Sequence, residues 1–141
     1  MNGSAVYLGA VDPVRLAHEL ARRMREVVPR GVEITVEGDM IWFQSAEAPG
    51  KAGTYACQWL YEGQGDEASR LAEACWRALD DLQDYVDEST ADPWPGTRGV
   101  PGVRARVEGD VVVLWCGDAE RPVLQLESLP LHVLGPDVTM T

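Results

Sequence analysis

Gly31-Val32-Glu33-Ile34-Thr35-Val36-Glu37-Gly38-Asp39-Met40-Ile41-Trp42-Phe43 and Gly102-Val103-Arg104-Ala105-Arg106-Val107-Glu108-Gly109-Asp110-Val111-Val112-Val113-Leu114 repeat one pattern within a single chain. Each copy places alternating apolar residues on both sides of an acidic-Gly-Asp corner. That is the pattern of a β-hairpin whose turn needs the positive φ that glycine tolerates. Turn propensity accounts for the paired carboxylates Glu37, Asp39, Glu108 and Asp110, so they carry no general acid/base assignment.

Helices precede both copies. Asp12-Pro13 supplies an N-cap and a first-turn proline, after which Val14, Ala17, Leu20, Ala21, Met24, Val27 and Val28 recur at helical spacing until Pro29. A second helix opens near Asp66-Glu67, where acidic residues suit the helix dipole. It carries Leu71, Cys75, Ala78, Leu79, Leu82 and Val86 on one face and runs out before Asp92-Pro93-Trp94-Pro95. A third strand is expected after each hairpin, at 54–62 and at 122–128. Alternation in the latter puts Leu124 and Leu126 on one face and Val123, Gln125 and Glu127 on the other.

The fold class read from this order is α+β: one domain over 1–141, with pseudo-repeats at about 12–62 and 66–128 and flexible ends at 1–10 and 130–141. Each repeat reads helix-strand-strand-strand, and the helices are expected to cover one face of a shared antiparallel sheet.

The predicted strand at 54–62 is rich in aromatics. Period-two alternation would put Tyr55, Cys57, Trp59 and Tyr61 on one face, with Trp42 able to join from the neighbouring strand. Such rings either form core beneath a helix or make a partner surface. The candidate partner-binding residues are therefore Trp42, Tyr55, Trp59, Tyr61 and Trp94.

With 12 Lys+Arg against 23 Asp+Glu, the formal net charge is −11, which opposes general attraction to nucleic acid or an anionic membrane. The local exception is Arg15, Arg22, Arg23, Arg25 and Arg30 around the first helix, which also leaves an anion site near Arg22 and Arg25 open. The second helix is acidic, with eight carboxylates against Arg70 and Arg77 between 66 and 88. Side by side, the two helices would complement each other; otherwise the basic helix of one copy would face the acidic helix of another in a homodimer. No apolar stretch approaches membrane-spanning length and the N-terminus lacks a signal-peptide pattern, so a cytoplasmic location is expected. Cys57, Cys75 and Cys116, odd in number and each set in an apolar segment, read as buried free thiols.

Enzyme motifs match only in fragments. Asp80, Asp81 and Asp84 have the DDxxD spacing that holds magnesium in isoprenyl synthases, which resemble much longer helical bundles. Here the same residues read first as a solvated helix face and second as a divalent-metal site. Pro49-Gly50-Lys51-Ala52-Gly53-Thr54 lacks the hydroxyl residue of a P-loop and reads as a hairpin loop. Gly63-Gln64-Gly65 reads as a turn before a helix. His18 and His132 have no metal-ligand spacing. No catalytic set and no cofactor are assigned.

The order helix, three strands, helix and further strands, with the acidity, resembles type III secretion chaperone-like domains, and the chain is also similar to a small actinobacterial protein family. The chaperone-like resemblance implies a small dimer that binds other chains, though the C-terminal strand departs from the closing helix of that family. The expectation is a non-enzymatic interaction, chaperone-like or regulatory domain. A small-ligand or metal-dependent enzyme using the acidic helix, and nucleic-acid binding through the arginines, are the alternatives.

Overall fold

The computed structural model describes residues 11–46, 48–62, 65–90, 94–95 and 102–135. It is α+β with antiparallel sheets. Helix α1 (Pro13–Arg25) leads into β1 (Val32–Glu37), β2 (Met40–Ser45) and β3 (Ala48–Thr54). A 3-10 turn (Ala56–Gln58) and a short helix α2 (Trp59–Glu62) precede the long helix α3 (Glu67–Thr90). Strands β4 (Val103–Glu108), β5 (Val111–Gly117), β6 (Pro122–Gln125) and β7 (Leu129–Pro130) follow, with a closing 3-10 turn at Leu131–Leu134.

The repeated hairpins form with the same register. Glu37 faces Met40 and Glu108 faces Val111, around Gly38 at φ 63° and Gly109 at φ 61°. The Asp12 cap forms as read, its Oδ1 accepting the Val14 N–H at 2.9 Å; Asp66, read only as part of an acidic first turn, also caps its helix, its Oδ1 accepting the Ser69 N–H at 2.8 Å. That backbone hydrogen bond holds the Asp66 carboxyl below its ordinary pKa.

The shared sheet is corrected to two. One sheet runs β1-β2-β3; the other runs β4-β5-β6, with β7 also paired to β5. Each hairpin takes its third strand from the segment that follows it, and among the described residues no strand pairs across the halves. Helix α3 joins the sheets instead, packing on β2 and β3 of the first and on β4 and β5 of the second. Its residues Leu71, Ala78, Leu79 and Leu82 share one buried cluster with Leu16, Leu20, Ile34, Phe43, Leu114 and Leu129.

The third strand of the first half is also corrected. It is Ala48–Thr54, in the segment expected to be a loop, while 56–62 is helical. The buried residues Ala56, Cys57 and Leu60 fall on a 3.6-residue face, so tertiary burial selects that period over the alternation of rings. Gly53 admits the strand: an added Cβ there would lie 2.9 Å from the Trp42 ring and in collision with Met40 Cε. Thr54 ends the strand, its hydroxyl accepting the Ala56 N–H at 3.2 Å and donating to Asp81 Oδ2 at 2.5 Å.

The C-terminal expectation changes too. Pro130 pairs with Val111, Leu131 and Leu134 are buried, and the Leu134 carbonyl accepts the Asp12 N–H at 2.8 Å. The expected flexible end therefore begins inside the fold; the expected flexible stretches at 1–10 and 136–141 lie outside the described residues. Leu126 is buried and Val123, Gln125 and Glu127 are exposed, as the alternation requires.

Candidate functional site

Strand β4 is an edge, paired among the described residues with β5 alone. The Gly117 N–H bonds to the Gly102 carbonyl at 2.8 Å, so Gly102 faces β5. Backbone groups alternate sides along an antiparallel strand, which turns the N–H and C=O of Val103, Ala105 and Val107 away from β5. The Val103 carbonyl is met from that side by the Trp76 indole, which donates at 2.8 Å from α3.

Beyond Trp76 an open groove of about 610 Å³ separates α3 from this edge. Ala68, Ala72 and Trp76 line it from α3, four residues apart and hence stacked along one helix face. Ala105, Arg106 and Val107 line it from β4. From residue 67 to 77 the helix spans about 15 Å, and 105–107 spans about 7 Å of strand, so the helix is the longer wall. The volume lies within the range of about 300–1,000 Å³ usual for ligand clefts.

Arg77 and Arg106 are among the residues that line the groove. Arg77 on α3 lies 4.3 Å from the Trp59 ring centroid and 5.3 Å from that of Trp76, and its Nε donates to Glu73 Oε2 at 2.8 Å. Arg106 on β4 lies 5.2 Å from the Trp115 centroid, and its Nε donates to Glu108. Each guanidinium is thus within cation–π distance of an indole.

The equivalent edge of the first half is β1, with Val32, Ile34 and Val36 in the places of Val103, Ala105 and Val107. Arg25 guards it, donating Nε–H to the Ile34 carbonyl at 2.8 Å. A smaller groove of about 380 Å³ lies beside Arg25, Val28 and Ile34.

The residues singled out from sequence are dispersed. Tyr55 and Tyr61 are exposed, at 60% and 67%, on the 55–62 turn. Trp59 is half-buried and reaches the groove only through Arg77. Trp42 lies on the outer face of the first sheet with Lys51 4.8 Å above its ring. Trp94 is buried, and its N–H bonds to Asp87 Oδ1 at 2.8 Å. These five do not form one surface.

The alternative sites are likewise accounted for. Asp81 is held by Thr54, Asp84 is exposed, and burial, then the charges of Asp84 and Asp81, raise the Asp80 pKa. Among the described residues no group of three or more His, Cys, Asp or Glu is placed to hold a metal. Within the arginine helix, Arg23 is 2% exposed. It donates to the Glu127 carbonyl (3.0 Å), the Ser128 carbonyl (3.1 Å from Nη2), the Glu19 carbonyl (3.0 Å) and Glu19 Oε1 (2.7 Å). Arg22 pairs with Glu19 and Glu127. His18 and His132 are exposed. The three thiols are free and buried, and burial pushes Cys57 up to about 12, with the Asp39 charge adding to it, and Cys116 up to about 11.

Neither the groove nor its arginines stood out in the sequence. The available signal was the Ala68-Ala72-Trp76 series on α3, set to one side of the main apolar stripe. No family model matches the chain, and no curated protein or solved structure matches it. Among the described residues no helix is long and apolar enough to cross a membrane.

Proposed function

We propose that the chain is a non-enzymatic interaction domain, chaperone-like or regulatory in role, that holds an extended segment of a partner protein in the groove between β4 and α3. The observation that carries this reading is the unpaired edge at Ala105 and Val107 facing an apolar helix stripe. A strand laid there would bond to the two N–H and two C=O groups of those residues. It would press alternate side chains onto Ala68 and Ala72, whose small size leaves room for Val, Ile or Leu. The partner chemistry is thus an extended segment with apolar residues at every second position.

The pseudo-repeat belongs to the same proposal. If the halves arose by duplication, each inherited an edge beside a helix, and they diverged in the guard: Arg25 covers the middle of β1 at Ile34, whereas Trp76 covers only the start of β4 at Val103. The wider groove of the second half follows from that difference. The homodimer expected from opposed helix charges is not needed for this reading, because Arg22 and Arg23 are engaged within the chain.

The test uses a blocked peptide alternating threonine and isoleucine, six residues long, at millimolar concentration. Amide hydrogen exchange should slow at Ala105 and Val107, and Ala72→Trp, which fills the groove from a half-buried helix position, should abolish the slowing. Exchange at both amides that is indifferent to the peptide would refute the reading.

A further inference from the structure

The outer edges of the two hairpins are alike at their first residue and differ at the next outward one. In β1 the Gly31 carbonyl accepts the Ala46 N–H at 3.2 Å, so Gly31 faces β2, and alternation turns Val32, Ile34 and Val36 outward. The start of each edge is engaged from within the chain: the Val32 N–H bonds to the Pro29 carbonyl at 3.2 Å, and the Val103 carbonyl accepts the Trp76 indole. Two residues further on, the halves part. The Ile34 carbonyl accepts Arg25 Nε–H at 2.8 Å, whereas the carbonyl of Ala105, at the equivalent position of β4, has no partner among the described residues. Arg25 is exposed in the last turn of α1 and forms one wall of the groove of about 380 Å³ that it shares with Val28 and Ile34. Ile34 is its one hydrogen-bond partner among the described residues.

From this we infer that Arg25 is an autoinhibitory contact: it holds β1 closed to the extended, alternately apolar segment that β4 accepts, and so keeps a second copy of the strand-docking edge latent. The inference rests on the strand-addition reading above and adds its regulation. Arg25 occupies the carbonyl that a guest strand must reach at the middle of the edge, so a guest N–H and the guanidinium compete for one acceptor. The N–H of Ile34 and both backbone groups of Val36 stand beside that carbonyl on the same edge. Displacing Arg25 therefore restores the run of outward groups that Ala105 and Val107 present in β4, and withdraws one wall of the groove. Because the side chain is exposed, it can leave without opening the core, which makes the closure reversible. Trp76, by contrast, is half-buried between α3 and β4 and bonds only at the first residue of its edge. A hydrogen bond from a charged donor, at the lower end of its usual net strength, corresponds to roughly tenfold in an equilibrium. Guest segments should accordingly fill β4 first and β1 only at higher concentration.

The experiment titrates the blocked threonine-isoleucine hexapeptide into the full chain and reads amide exchange at Ala105 and Val107 and, separately, at Ile34 and Val36. In the unmodified chain the β4 amides should slow at about tenfold lower peptide concentration than the β1 amides. Arg25→Ala should lower the midpoint at Ile34 and Val36 by about the same factor and leave the midpoint at Ala105 and Val107 where it was. Arg15→Ala, which removes an equal charge from an exposed position of the same helix, should move neither midpoint. Both substitutions fall on exposed helix positions, and a thermal melt of each variant confirms that it is folded before titration. Equal midpoints at the two edges of the unmodified chain, a β1 midpoint unmoved by Arg25→Ala, or no slowing at Ile34 and Val36 in that variant overturns the autoinhibition while leaving the β4 site intact. Failure of the peptide to slow exchange at Ala105 and Val107 in either chain overturns the strand-addition reading and this inference with it.

Discussion

Replacing Arg23 by methionine removes a buried charge that joins α1 to the chain between β6 and β7. The guanidinium is 2% exposed and donates to the backbone carbonyls of Glu19, Glu127 and Ser128 and to the Glu19 carboxylate. Methionine fills much of the stem volume, so the change tests the polar contacts more than the packing. Removing one partner of a buried ion pair costs about 3–5 kcal/mol, because the groups left behind are unmatched. Glu127 is 54% exposed and regains water, and Glu19, at 27%, partly does so, which favours the lower figure of about 3 kcal/mol. For 141 residues the unfolding entropy is about 0.3 kcal/mol per degree, so the melting temperature should fall by roughly 10 °C. Urea unfolding followed by tryptophan fluorescence measures the loss, with an unchanged m-value as the check that the unfolded state is the same. A loss below about 1 kcal/mol, the level of an ordinary exposed pair, would refute the view that this arginine is a buried clamp.

The same cluster sets a pH dependence. Burial raises the Glu19 pKa, but the hydrogen bond and charge of Arg23, joined by those of Arg22, outweigh it and hold the carboxyl below its ordinary value. Its contribution is therefore present above the unfolded pKa and lost as pH falls through the lower folded one. Glu19→Gln should flatten stability against pH in that acidic window, as read by urea midpoints in a pH series. Gly38→Ala and Gly109→Ala should cost about 1 kcal/mol each, because both turns place the residue at positive φ with open space around it; clearly unequal melting shifts would show that the two turns are not equivalent. Gly53→Ala should cost about 1–3 kcal/mol by displacing Trp42, and the Trp emission should shift with it. At pH 8 none of the three thiols should react with iodoacetamide in the folded chain, and all should react in urea, as mass spectrometry would count.

Local chemistry explains which elements were legible. The hairpins at 31–43 and 102–114 carried their own turn residues, and the helices carried Asp12-Pro13 and Asp66 at their starts, so each could be read without knowing its neighbours. The segment 55–61 supported two periods at once, alternating rings for a strand and Ala56, Cys57 and Leu60 for a helix turn. Only the burial of the second set decided between them. Strand β3, with Gly50 and Gly53 in place of branched residues, had the composition of a loop; it is a strand because β2 offers it a paired edge and Trp42 covers Gly53.

By itself the sequence determined the α+β class, the two Gly-Asp turns, the starts of the two main helices and the buried thiols, since each depends on residues a few positions apart. Tertiary structure decided that there are two sheets, that Arg23 is consumed inside the chain, and that Trp76, Arg77, Ala105 and Arg106 meet at one groove. Those facts depend on which strand is left as an edge and which helix lies beside it, and pairing between segments some thirty residues apart leaves no periodic trace in either segment.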